Sequence, residues 1–219
     1  MIYNLEQSYN GTGRKRKLEA VPDDERRRRE RSTDELEHVM QGRELKEGKI
    51  FHLMTGGNID YLSNILWLIR RYRHLNRVFI TSWALAGADI LLLREQIEAG
   101  NIGQFDVMHD NDYSVQRHMD YQLLLEMHKD GLLRNLTRST MHCKAVLIDA
   151  NGQDKFVIVT SANCTFNPRV EIQTMSINSN LYEQYDRFIS DVQDKECVMK
   201  TLRRYPKLNR YVRYTDVTL

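Results

Sequence analysis

The chain has 219 residues, 41% hydrophobic and 9% aromatic, which fills one sizeable core with little left for a second and excludes a large multidomain machine. Lys+Arg 32 against Asp+Glu 30 leaves a net charge of +2, which excludes both a basic nucleic-acid coat and an acidic mimic and confines nucleic-acid binding to local patches. Three cysteines (Cys143, Cys164, Cys197) without CxxC spacing argue against a disulfide scaffold or zinc ribbon and for a reducing compartment. The N-terminus lacks the order of a signal peptide, and no uncharged apolar run is long enough to cross a bilayer. The expectation is a soluble, cytoplasmic protein with no membrane partner.

In chain order, the first stretch differs from everything after it. Between Arg14 and Glu47 lie eleven Lys/Arg and ten Asp/Glu with few aliphatics. That is too little apolar surface to repay chain ordering, so residues 1–47 are expected to be a charged N-terminal tail, disordered or partly helical. Asp23–Glu47 suits a solvated helix, with Asp23, Asp24 and Glu25 favourable at its start and Leu36, Val39 and Met40 a weak apolar stripe. The run Arg26–Arg29 is either one solvated helix face or a nucleic-acid arm.

After Gly48, short apolar runs alternate with amphipathic segments, the pattern of strand–helix repeats around a largely parallel sheet. Strands are predicted at Ile50–Leu53, Arg77–Thr81, Phe105–Met108, Leu132–Leu136, Lys144–Ile148, Phe156–Thr160 and Ile172–Ile177. Helices are predicted near Ile59–Tyr72, Gly87–Ala99, Ser114–Lys129 and Tyr182–Arg204. Gly100 and Gly131 stand where helix C-caps belong. Asn151-Gly152, between the fifth and sixth strands, favours a tight antiparallel reversal. The α/β domain is drawn over 48–194, leaving 195–219 as a basic, Tyr-containing C-terminal segment.

The residues that carry chemistry begin at Met141-His142-Cys143-Lys144 and run to Asp149, an HxKxxxxD pattern. Side chains alternate along a strand, so His142 and Lys144 share one face, and Cys143, Ala145 and Leu147 share the other. The next strand ends Thr160-Ser161-Ala162-Asn163; Ser161 and Asn163 again share a face, and hairpin pairing brings them beside His142 and Lys144. Glu171 then opens a further strand, within reach of a histidine whose second ring nitrogen needs an acceptor. Imidazole, ammonium, amide, hydroxyl and carboxylate together suit a phosphodiester, with Lys144 and Asn163 cradling non-bridging oxygens and His142 attacking phosphorus. That chemistry needs neither metal nor cofactor.

At these residues the chain resembles the phospholipase D superfamily, whose motif runs H-x-K-x4-D, then G-S-x-N, then a downstream glutamate. The strand–helix run before the motif, including Thr81-Ser82-Trp83, is similar too, so the resemblance covers roughly residues 48–194. It implies an α/β fold with a mixed sheet flanked by helices, His142 as covalent nucleophile, Lys144 and Asn163 as phosphate ligands, Ser161 as a supporting hydrogen-bonder and Glu171 as the orienter of His142. Asp149 lies on the opposite strand face and is assigned a structural role. Thr160 stands where the family prefers glycine, and the gap from Asp149 to Thr160 is longer than usual. The family's chemistry needs two histidines, and one HKD motif is found in this chain. The resemblance therefore implies a homodimer whose two His142 residues form one composite site.

From Met199 to Tyr214 there are six Lys/Arg and no acidic residue, interleaved with Tyr205, Tyr211 and Tyr214. Arg203, Arg204, Lys207, Arg210 and Arg213 are candidates for phosphate contacts and the tyrosines for base stacking, unless this is a solvated helix end. Trp83 lines the substrate cleft or covers the core. Asp106–Asp112, with His109, is a polar loop near the groove or a metal site, and no metal is expected because recognisable ligand spacing is missing. Cys143 and Cys164 are expected to face inward. The implied activity is a metal-independent phosphodiesterase, an endonuclease on DNA or RNA. A catalytically degenerate nucleic-acid-binding relative is the alternative, and a phospholipid hydrolase or transferase the third reading.

Overall fold

The structure, a computed structural model, describes residues 19–152, 154–165 and 169–199. It opens with helix α1 (Asp23–Met40), whose first turn carries Asp23, Asp24 and Glu25, as the helix dipole favours. Strand β1 (Ile50–Thr55) leads into α2 (Tyr61–Tyr72). A capping box starts α2: Asp60 Oδ1 accepts from the Ser63 amide at 2.8 Å, and Ser63 Oγ accepts from the Asp60 amide at 3.1 Å. Then come β2 (Leu75–Ser82), α3 (Gly87–Glu98) and β3 (Ile102–Asp110). The third predicted helix is broken in two, α4 (Tyr113–Gln116) and α5 (His118–Lys129). Strands β4 (Asn135–Ser139), β5 (Ala145–Ala150), β6 (Asp154–Thr160) and β7 (Glu171–Ile177) follow, and α6 (Ser179–Met199) ends the described chain.

The charged segment is not a tail from Val21 onward. Val21, Leu36 and Met40 belong to the main core, and Arg29, expected on a solvated face, is 2% exposed. Arg29, Thr33, Leu36 and Met40 recur at helical spacing on one stripe of α1. That stripe packs on α2. Ion pairs supply what the few aliphatics lack: the Arg29 guanidinium meets Asp60, the N-cap of α2, and Asp89 in the first turn of α3. Arg26 pairs with Glu95 at 2.8 Å, and Trp67 Nε1 donates to Glu37. Residues 1–18 lie outside the described chain.

The seven strands form one sheet in the order β1-β7-β6-β5-β2-β3-β4. Only β2·β3 and β3·β4 are parallel; β1·β7, β7·β6, β6·β5 and β5·β2 are antiparallel, so the sheet is mixed, as the resemblance implies, and not the largely parallel one of the strand–helix pattern alone. The cause is connection length. Parallel neighbours need a crossover of a dozen or more residues, whereas only short links precede β5, β6 and β7. The β5–β6 reversal is the tight turn expected of Asn151-Gly152, with φ of 57° and 70° at those residues. Asp149, the structural member of the motif, accepts from the Gly152 amide at 2.9 Å and closes this turn.

Alternation along the strands divides the core. Val78, Ile80, Val146, Ile148, Phe156 and Ile158 face the layer of α1, α2, α3 and α5, and Phe79, Leu147 and Val157 face Tyr182 and Ile189 of α6. One helix does not cover a seven-stranded sheet: on its side the register partners Met54 and Ile172 remain 79% and 57% exposed. Strand polarity has the larger consequence. The C-terminal ends of β1, β2, β3, β4 and β6 meet the N-terminal ends of β5 and β7 along one edge, and the motif residues lie on that edge.

Candidate active site

His142 and Lys144 come just before β5, in extended chain that continues its pairing: the Thr160 amide donates to the Lys144 carbonyl at 3.0 Å. They share a side, as alternation predicts, and Lys144 Nζ lies 3.1 Å from His142 Nδ1 and donates to the His142 carbonyl at 2.9 Å. Lys144 is 7% exposed while His142 is exposed. Burial lowers the Lys144 ammonium below the ordinary lysine value, with Cys143 and Glu171 acting in the opposite direction.

Ser161 leaves β6 and Glu171 opens β7, and the Ser161 hydroxyl donates to Glu171 Oε2. The Ile172 amide donates back to Ser161 Oγ at 3.0 Å, locking the two strand ends together. The contact at His142 Nδ1 is thus Lys144, and Glu171 holds Ser161. Asn163 lies beyond them in the turn, and its Oδ1 is sequestered with no hydrogen-bond partner among the described residues. The turn is anchored on both sides of Cys164, whose amide donates to Ser82 Oγ at 3.0 Å and whose carbonyl accepts from the Ala86 amide at 2.8 Å.

His142, Lys144, Thr160 and Ser161 line a pocket of about 400 Å³ together with Cys143, Ala145, Val159 and Tyr185 of α6. Asn163 and Glu171 are not among its walls. Thr160, in the glycine position of the motif, turns its Oγ1 to accept from the Ala162 amide at 3.1 Å, so it braces the turn as well as lining the pocket.

Cys143 departs from expectation. It is exposed, its Sγ 3.6 Å from Thr81 Oγ1, because it precedes the strand proper and points to the pocket between the sheet and α6 rather than into the core. Cys164 is buried as expected, and burial pushes its thiol well up. Trp83 packs partly buried against the main core and is not a pocket wall. Arg203, Arg204, Lys207, Arg210 and Arg213 lie outside the described residues.

Several supporting residues escaped the sequence reading. Thr81 Oγ1 accepts from the Ala145 amide at 2.9 Å, and the Tyr61 hydroxyl reaches the Ala145 carbonyl at 2.7 Å. Asp110 Oδ2 accepts from the Met141 amide at 3.0 Å, fixing the chain one residue before His142. The Asp106–Asp112 stretch is thereby explained without a ligand: Asp106, fully buried, is held by Arg77, Arg134 and Asn135, and Asp110 braces the motif. Among the described residues no group of three or more His, Cys, Asp or Glu gathers as a metal cage. Tyr185 left no signal in the sequence, because its place at the pocket depends on how α6 crosses the sheet.

This mixed sheet with flanking helices and a site on one strand edge is the phospholipase D type of α/β fold. Among solved structures the chain is similar to polyphosphate kinase from Porphyromonas gingivalis, 14% identical with a TM-score of 0.51, over 78% of this chain and 30% of that one. Phosphatidylserine synthase from Haemophilus influenzae Rd KW20 matches at 13% identity and a TM-score of 0.45, over 70% of this chain and 38% of the other. Yeast tyrosyl-DNA phosphodiesterase matches at 17% and 0.37, over 58% and 32%. The chain spans only about a third of each, and at these identities the likeness is one of fold. The sequence matches no family model and no curated protein. Among the described residues no helix is long and apolar enough to cross a membrane.

Proposed function

We propose that the chain is a metal-independent phosphodiesterase of nucleic acid, an endonuclease on DNA or RNA, working through a composite site built from two copies. The observation that carries this reading is a buried lysine within 3.1 Å of an exposed histidine, beside a serine–glutamate pair. The fold shared with polyphosphate kinase supports phosphoryl chemistry at this strand edge. Lys144, with Asn163, takes the non-bridging oxygens of the phosphodiester, and its poorly hydrated ammonium stabilises the charge that gathers on them. His142 attacks phosphorus; an N–P bond forms and the bond to the leaving oxygen breaks. A second histidine gives that oxygen its proton, then takes one from the water that splits the phosphohistidine, releasing a phosphomonoester and restoring His142. One motif per chain supplies one such histidine, so the second is His142 of another copy across a two-fold axis. Glu171 holds Ser161, and its charge acts on Lys144, the neighbour of His142.

Arg203, Arg204, Lys207, Arg210 and Arg213 follow α6 in the sequence, the helix that carries Tyr185, and supply further phosphate contacts. Binding then weakens steeply with salt, and a chain truncated after Asp194 binds less well.

The test is cleavage of DNA and RNA oligonucleotides in EDTA. Wild-type protein cuts; His142→Ala remains dimeric and does not cut. Turnover by His142→Ala, or full activity from a monomer, overturns the mechanism. Binding without cleavage by the wild type assigns the chain to the non-catalytic alternative, and release of a head group from phospholipid vesicles assigns it to the third.

A further inference from the structure

The pocket has two unlike halves by strand alternation. His142 and Lys144 touch on one face, whereas Cys143, Ala145 and Val159 share the face of Leu147 and Val157, on which Tyr185 of α6 packs. About 400 Å³ is far more than a phosphate group fills and falls within the range of small-ligand sites. The second half presents no cation, so a further phosphate, as in a polyphosphate chain, finds no partner there. Tyr185 packs against the cluster of Leu147 and Val157, and burial raises its hydroxyl, so the ring is a rigid, neutral wall. Ala145 is a small wall residue, and Val159, 40% exposed, adds an open apolar surface. These features suit a flat, uncharged, polarisable group joined directly to the phosphate at Lys144.

Resting on the phosphodiesterase reading, we infer that this half of the pocket is a base subsite: it receives the nucleobase next to the scissile phosphate, stacked on Tyr185. A base whose face is free for a tyrosine is not stacked in a duplex, so the substrate class is single-stranded nucleic acid or a base turned out of its helix.

Cys143 provides a readout independent of turnover, because its exposed thiol forms part of the same wall while Cys164 is buried. The rate of N-ethylmaleimide labelling at Cys143, followed by peptide mass spectrometry on the full chain, reports occupancy. Thymidine 5′-monophosphate protects Cys143 at a concentration about fivefold or more below that of ribose 5-phosphate. Tyr185→Phe keeps this difference, and Tyr185→Leu, which preserves the packing without the aromatic face, removes it. Equal protection by the two phosphates, or a difference that survives in Tyr185→Leu, overturns the base subsite and leaves the phosphodiesterase reading standing. Protection by dihexanoyl phosphatidic acid but not by thymidine 5′-monophosphate overturns it in favour of a lipid. If no phosphate protects, inorganic phosphate included, the phosphate site falls and the subsite with it.

Discussion

Replacing Arg29 by methionine tests whether α1 is held by its charges. Arg29 is 2% exposed and faces two carboxylates, Asp60 and Asp89, the second fully buried. Removing the guanidinium leaves Asp60, and Asp89 wherever it is ionised, without a counter-charge, a change that costs about 3–5 kcal/mol. That is a large share of the stability of a domain this size and on the order of 10 °C in Tm. The loss should also depend on pH. Burial, with Asp60 nearby, pushes the Asp89 carboxyl up to about 7 while Arg29 pulls it down. A folded value above the ordinary carboxylate value means that the stabilisation from this group's proton is complete in acid and is lost as pH rises from the ordinary carboxylate range through about 7. Above that point the wild type loses nothing more through Asp89. In Arg29→Met the pull is gone, the carboxyl keeps its proton to higher pH, and the loss continues. From pH 7 to 8.5, at 1.36 kcal/mol per unit, the variant falls behind by about a further 2 kcal/mol. Urea unfolding at pH 6 and pH 8.5 measures both quantities. Trp67, 1% exposed and donating to Glu37 of α1, reports by fluorescence whether α1 has come away. A loss under about 1 kcal/mol, or one equal at the two pH values, would refute the account of α1 as an ion-latched element.

Further outcomes follow from the site and the core. Lys144→Gln should fold normally and lose at least about 100-fold in kcat/KM; in the wild type, activity should fall as pH rises through a value below that of an ordinary lysine, because burial lowers the ammonium. An alkaline limb at the ordinary lysine value would contradict that burial. Ser161→Ala removes the donor to Glu171, which is 9% exposed, and should cost about 1–3 kcal/mol in thermal unfolding together with cleavage activity; unchanged stability would mean that the pair is not a lock. Leu147→Ala, at a fully buried position between the sheet and α6, should cost about 2–5 kcal/mol in urea unfolding. A loss below about 1 kcal/mol there would mean that α6 is not seated on the sheet.

Much of the site could be read before any coordinates because it is local. His142 and Lys144 share a side by the period of two, Asn151-Gly152 closes the turn, and hairpin register sets Thr160 opposite Lys144 and Ser161 opposite Cys143; each step spans few residues and depends on backbone geometry alone. The helices and strands of the α/β domain were legible for the same reason, since their apolar spacing is written within each segment. What could not be read joins distant segments. Arg29 meets Asp60 across 31 residues, and composition classed that arginine with its solvated neighbours because it averages over a helix whose buried stripe is one residue wide. Asp110 and Met141 are also 31 residues apart, so the bracing of the motif by the acidic stretch could not be read from its polar character. The mixed sheet implied by the resemblance is found, whereas the strand–helix pattern alone pointed to a largely parallel one because apolar runs do not state their polarity; the short links around β5 and β6 do, through the lack of room for a crossover helix.

By itself, then, the sequence determined the elements, the motif hairpin and the kinds of side chain gathered there, because periodicity, turn chemistry and side-chain type act over a few residues. Tertiary structure alone decided that α1 belongs to the folded body, that Cys143 faces a pocket, and that Tyr185 closes it. Each of these depends on which long-range contacts form when the helices dock on the two faces of the sheet, and a single chain's local pattern does not encode that choice.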